Sequence, residues 1–169
     1  MTPKVLIPEE KIRQRVQELA DEISEAFQNT PVTIISVLKG ALVFTADLMR
    51  FLKSNVEVDF IRVKSYRGEK KEKLEATYKP ELNLKGKNVL IVDDIFDTGE
   101  SLQFVYREIA QHSPASIRTC VLLEKEVERK VDIKPDFVGF KIPNRFVVGY
   151  GLDINDMYRE LPYIGYLDK

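Results

Sequence analysis

Hydrophobic residues recur along this chain in two rhythms, one helical and one of continuous apolar runs. Ile12, Val16, Leu19, Ala20, Ile23 and Phe27 fall on one face of a helix that begins at Pro8 with two acids in its first turn. Asn29, Thr30 and Pro31 break that pattern, and Val32–Leu38 reads as a strand apolar enough to be buried on both faces. A second helix is predicted through Ala41, Leu42, Phe44, Leu48 and Leu52, and a roughly alternating strand over residues 56–64. Val89, Leu90, Ile91 and Val92 form another fully buried strand, which should end at Asp93 and Asp94. Leu102, Val105, Tyr106 and Ile109 then return to helical spacing. Strands over 117–123 and 136–143 follow, the latter closed by Pro143, with short apolar pieces at 146–153 and 163–167. Strand and helix alternate, which predicts an α/β fold with a largely parallel central sheet flanked by helices. Residues 1–169 carry no repeat, low-complexity stretch or linker and read as a single domain.

Two stretches resist this pattern. Residues 65–79 set Arg67, Lys70, Lys71, Lys73 and Lys79 against Glu69, Glu72 and Glu75, with few apolar positions. A charged tract of that length reads either as a solvated hairpin or as a lid that closes over a charged intermediate. Residues 126–134 are mostly charged as well and read as a connecting segment.

Composition narrows the classes of function. A net charge of −1 gives no argument for nucleic acid or membrane as a partner. No apolar run approaches a membrane span and the N-terminus lacks a signal-peptide pattern, so a cytoplasmic location is expected. Cys120 is the only cysteine and sits in a predicted buried strand, which makes it a structural thiol. With a single histidine besides, His112 at a helix end, a zinc site is excluded.

The densest chemistry lies at residues 93–101. Asp93 and Asp94 close a strand with no exposed face, and Asp97, Thr98, Gly99 and Ser101 lead into a helix. The first amides of a helix lack partners and point into the preceding turn, so this junction can cradle an anion. The acids add acceptors for hydroxyls or for a hydrated cation such as Mg²⁺. Singly, such residues also serve as caps and turns. Lys39 and Gly40 follow the other buried strand and fall on the same sheet edge if the two strands are parallel.

Residues 89–101 resemble the phosphoribosyl-pyrophosphate (PRPP) binding motif of type I phosphoribosyltransferases: an apolar strand, two acids, two hydrophobic residues, Asp-Thr-Gly, then a hydroxyl residue two further on. Val37-Leu-Lys-Gly, Lys64-Ser-Tyr, Lys125, the run from Lys134 to Pro143, the run from Phe146 to Asp153, and Tyr158-Arg-Glu-Leu-Pro are similar to the hypoxanthine (hypoxanthine-guanine) members of that family. The likeness covers Leu6 to Leu167. It implies the type I fold with a small hood completed by the C-terminal segment, a Mg²⁺ requirement, PRPP with hypoxanthine or guanine as substrates, and a homodimer or homotetramer.

The same resemblance implies roles. Asp93 and Asp94 would hold the ribose hydroxyls of PRPP, directly or through Mg²⁺, and Asp97, Thr98, Gly99, Glu100 and Ser101 its 5′-phosphate. Lys39, Gly40 and Arg159 would meet the pyrophosphate, with a cis peptide at Lys39–Gly40. Asp97 would be the general base. Lys125 would donate to the 6-oxo group, Phe146 would stack on the purine and the Val147 main chain would read its edge. Asp153, grouped with the purine-binding residues, would hold a second Mg²⁺ through water and face the pyrophosphate, and Ser65 and Tyr66 would ride on the closing loop. Three positions depart from the family pattern: Glu100 in the phosphate loop, the bulky Phe96, and the Lys/Glu-rich tract after Tyr66. A xanthine- or guanine-preferring enzyme and a PRPP-sensing, RNA-binding regulator are the competing readings. The net charge and the joint presence of Asp97, Lys125 and Arg159 count against the regulator.

Overall fold

The computed structural model describes residues 2–67 and 72–168. In chain order the elements are β1 (Lys4–Ile7), α1 (Glu9–Ala26), β2 (Val32–Leu38), α2 (Leu42–Phe51), β3 (Val56–Arg67), β4 (Glu72–Tyr78), β5 (Asn88–Phe96), α3 (Glu100–Ala110), β6 (Ser116–Lys125), β7 (Phe137–Ile142), β8 (Val147–Val148) and β9 (Ile164–Tyr166). Six strands form the main sheet in the order β4-β3-β2-β5-β6-β7, parallel throughout except for the antiparallel edge strand β4. A second, antiparallel sheet joins β1, β9 and β8 and forms the small hood.

Side chains alternate across the main sheet, so each buried strand feeds two cores. Ile34, Leu90, Val92 and Leu122 face α1 and α2, where they meet Val16, Leu19, Ile23, Phe44 and Leu48. Ile35, Val37, Val89, Ile91 and Val121 face α3 and its Leu102, Val105 and Ile109. Cys120 is fully buried, and burial pushes its thiol far above the ordinary range, which suits an inert core residue. Among the described residues no helix is long and apolar enough to cross a membrane.

Several local expectations are revised. Of the two readings of the tract after Ser65 the hairpin is the one seen: β3 runs on to Arg67 and pairs with β4, Ser65 opposite Leu74 and Tyr66 opposite Lys73. Leu74 and Ala76 are half-buried between exposed neighbours, the period-two pattern of an edge strand. Gly68, Glu69, Lys70 and Lys71, which belong to the anticipated lid, lie outside the described residues. Strand β5 does not stop at the two acids but continues to Phe96, because β6 keeps pairing with it as far as Phe96 opposite Glu124. Tyr106 leaves the apolar face of α3 and is exposed, as only Leu102, Val105 and Ile109 of that helix are buried. The cis peptide is Leu38–Lys39, one bond before the position implied by the resemblance. Strand β1 joins the hood although its four residues are too few to carry a readable period.

Candidate active site

Strand order reverses between the parallel neighbours β2 and β5: β2 leads outward to β3, and β5 leads the other way to β6. In an open parallel sheet the loops diverge at such a switch point and leave a crevice beyond the carboxyl ends of the strands. Here Lys39 and Gly40 enter that crevice after β2, and Asp93 to Gly99 enter it from β5.

Two adjoining cavities occupy the crevice. One, of about 280 Å³, is walled by Leu38, Gly40, Asp93, Asp94, residues 97–99 and Ser101. The second, of about 270 Å³, is walled by Lys125, Phe146, Val147, Leu152 and Asp153, and shares Asp94, Ile95 and Asp97 with the first. Asp97 therefore stands on the wall common to both.

The first cavity sets the N-terminus of α3 beside a pair of acids. Gly99, at φ +88°, is the N-cap of α3, a left-handed conformation that glycine adopts freely. A Cβ there would lie 2.5 Å from Val131 Cγ2. No side chain caps the helix, so its leading amides stay free to meet a ligand. Across the crevice, a Cβ on Gly40 would stand 1.8 Å from Asp94 Oδ2, so only glycine lets the β2 loop come this close to the acids. Asp93 is buried, and burial together with the neighbouring Asp94 charge holds its carboxyl well above the usual range. Burial raises Asp94 too. Such a pair waits for hydroxyl donors or a cation.

The second cavity brings an aromatic ring together with a cation and a carboxylate. Phe146 is 57% exposed at its rim and so is no core aromatic, whereas Val147 is buried on β8. The Lys125 side chain is only 12% exposed, and its Nζ donates to Asp97 Oδ2 at 3.3 Å. A cation and a carboxylate thus meet in direct contact on the wall of the cavity.

Lys39 and Arg159 form a third group. Lys39 Nζ donates to Asp156 Oδ1 at 3.1 Å; Arg159 donates to the same oxygen at 3.0 Å and to the Gly151 carbonyl at 2.7 Å, and pairs with Asp153 at 3.2 Å. These contacts hold the Asp156 carboxyl below the usual carboxylate range, Arg159 foremost.

The phosphoribosyl transferase domain model matches residues 7–155. This chain belongs to the phosphoribosyltransferase family. It is 43% identical over 166 residues to the hypoxanthine-guanine phosphoribosyltransferase of Bacillus subtilis, covering 97% of this chain and 92% of that one. The crystal structure of a Bacillus anthracis hypoxanthine-guanine phosphoribosyltransferase with HEPES in its active site superposes with a TM-score of 0.94 at 40% identity, covering 99% of this chain and all of that one. The hypoxanthine phosphoribosyltransferase of Trypanosoma cruzi gives a TM-score of 0.89 at 40% identity, with 97% and 95% covered.

Not every residue singled out in the sequence gathers in the two cavities of this phosphoribosyltransferase. Ser65 and Tyr66 stand exposed on the outer β3–β4 hairpin and line neither. The Glu100 side chain points away from the first cavity, as expected for a residue that would offer only its amide, with its carboxylate 3.9 Å from Lys130 Nζ. One residue was missed altogether. Arg129, in the segment taken for a connector, donates to the carbonyls of Asp97 and Lys125, each at 2.7 Å. No periodicity marks it, because its partners come from two different strand ends.

Proposed function

We propose that this phosphoribosyltransferase moves the 5-phosphoribosyl group of PRPP to N9 of hypoxanthine, and also of guanine, releasing pyrophosphate, as a step of purine salvage. The observation that carries this reading is the pair of adjoining cavities with Asp97 on their common wall. A base in one and a 5-phosphoribosyl group in the other would meet at that carboxylate. The relatives' names, which specify hypoxanthine or hypoxanthine-guanine transfer, support the choice of base.

In this reading the α3 N-terminus and the hydroxyls of Thr98 and Ser101 hold the 5′-phosphate. Asp93 and Asp94 accept from the ribose hydroxyls. Phe146 stacks on the purine, and Lys125 donates to O6, which disfavours the donor amino group of adenine. N9 attacks C1′ as the bond from C1′ to the pyrophosphate oxygen breaks, and the N7 proton passes to Asp97. Lys39 and Arg159 meet the charge that accumulates on pyrophosphate, exchanging Asp156 for it.

Among the described residues no three acidic, histidine or cysteine side chains cluster as a closed metal cage. Asp93, Asp94 and Asp153 instead offer hard oxygens one or two at a time, the donor set that suits Mg²⁺ arriving with water and substrate phosphate oxygens. Bound there, Mg²⁺ would offset pyrophosphate charge. The likeness to the family also supports a cytoplasmic homodimer or homotetramer.

The test is nucleotide formation from PRPP, with and without Mg²⁺, using hypoxanthine, guanine, xanthine and adenine side by side. Turnover of hypoxanthine and guanine but not adenine is expected. Turnover of adenine alone, or of no base, would overturn the reading.

A further inference from the structure

Asp97 and Lys125 stand at the ends of neighbouring strands, yet the β5–β6 ladder pairs nothing beyond Phe96 and Glu124. A single guanidinium takes the place of the next rung. Arg129 Nη1 donates to the Asp97 carbonyl and, at 3.1 Å, to that of Val127. Its Nη2 donates to the Lys125 carbonyl and, at 3.1 Å, to Glu124 Oε1. The guanidinium lies over the Phe96 ring with its Cζ 4.4 Å from the centroid, and that ring is buried. The following residue continues the lacing, as the Lys130 amide donates to the Thr98 carbonyl at 3.2 Å.

Arg129 lines neither cavity, and its charge is met by Glu124. A substrate ligand would present its donors to the crevice; these donors are spent on three backbone carbonyls and the Glu124 carboxylate. A planar fork on an aromatic face fixes two carbonyls in one plane, which a lysine cannot do. Phe96, one of the departures from the family pattern, supplies that face.

We propose that Arg129, seated on Phe96, is a positioning residue that sets the distance between the Asp97 carboxylate and the Lys125 ammonium, and so the grip on the 6-oxopurine. The inference rests on the roles given to Asp97 and Lys125 above.

The experiment is a double-mutant cycle between Arg129→Gln and Lys125→Met, read in steady-state kinetics. Arg129→Gln alone should raise the KM for hypoxanthine about tenfold and leave the KM for PRPP within about twofold. In the Lys125→Met background the same change should move the hypoxanthine KM by less than about twofold, because its route of action is already gone. Arg129→Lys, which keeps the charge without the planar fork, should lose as much as Arg129→Gln, and full recovery by lysine would overturn the proposal. Equal effects on both substrates, or full additivity with Lys125→Met, would reduce Arg129 to a brace of the fold and overturn the proposal. Should Arg129→Gln not fold, Phe96→Ile keeps the donors, removes the ring face and carries the same cycle with a smaller loss. A wild-type enzyme that makes no nucleotide would sink the functional reading first; a working enzyme with additive effects sinks this inference alone.

Discussion

Replacing Lys125 by methionine removes an ammonium and keeps an unbranched stem of similar reach. The lysine side chain is 12% exposed, so a base seated in the second cavity would meet its charge with little competing water. A hydrogen bond to a charged group contributes about 1.5–3 kcal/mol. At about 1.4 kcal/mol per factor of ten, kcat/KM for hypoxanthine should fall roughly 10- to 150-fold. Folding should be spared. The partner Asp97 is 48% exposed and rehydrates when the pair is broken, so the stability change should stay within about 1 kcal/mol. The assay is steady-state kinetics with hypoxanthine and adenine at saturating PRPP, beside a thermal melt. Discrimination against adenine should narrow, since methionine neither donates to an oxo group nor opposes an amino group. An unchanged kcat/KM for hypoxanthine at an unchanged Tm would refute the reasoning, as would an equal loss for both bases.

Three further changes probe the rest of the crevice. Asp97→Asn keeps shape but removes the proton acceptor; kcat should drop about 10²–10⁴-fold with the KM for PRPP little altered, and undiminished turnover would remove Asp97 from the base role. Gly40→Ala places a Cβ where Asp94 Oδ2 now stands, displacing the end of a side chain rather than backbone, so the KM for PRPP should rise about tenfold with Tm nearly constant. A PRPP affinity equal to wild type would show that the close approach is dispensable. Asp93→Asn tests the buried charge. The folded-state carboxyl is held above its usual value near 3.8, so its contribution to stability is full below that value and is lost as pH rises through the folded-state titration. The neutral variant should therefore gain Tm over wild type as pH increases from about 4 toward 8, while losing activity. A Tm difference independent of pH would contradict that origin.

Elements that carry their own periodicity were readable from residue order. The apolar runs of β2 and β5 and the stripe of α1 each announced burial, and Gly99 stood where the strand-to-helix turn requires a glycine. What escaped depended on partners distant in sequence. The β3–β4 segment could be read as a hairpin or as a lid because its outward face is charged and Leu74 and Ala76 are nearly its only inward signals. Tyr106 matched helical spacing but lay just outside the stripe that α3 turns to the sheet. Arg129 belongs to a charged segment without period, and its partners are carbonyls, which residue identity does not reveal. The same limit holds for Asp156, which joins Lys39 to Arg159 from a loop that composition alone leaves unremarked.

The central claim is that one ribonucleotide spans both cavities across Asp97. A crystal structure of this protein with inosine 5′-monophosphate tests it most directly. The account predicts the phosphate on the amides of residues 98–101, the ring against Phe146, and O6 within hydrogen-bond reach of Lys125 Nζ, about 3 Å. A nucleotide bound with its base away from Lys125 and Phe146, or its phosphate away from the α3 N-terminus, would contradict it.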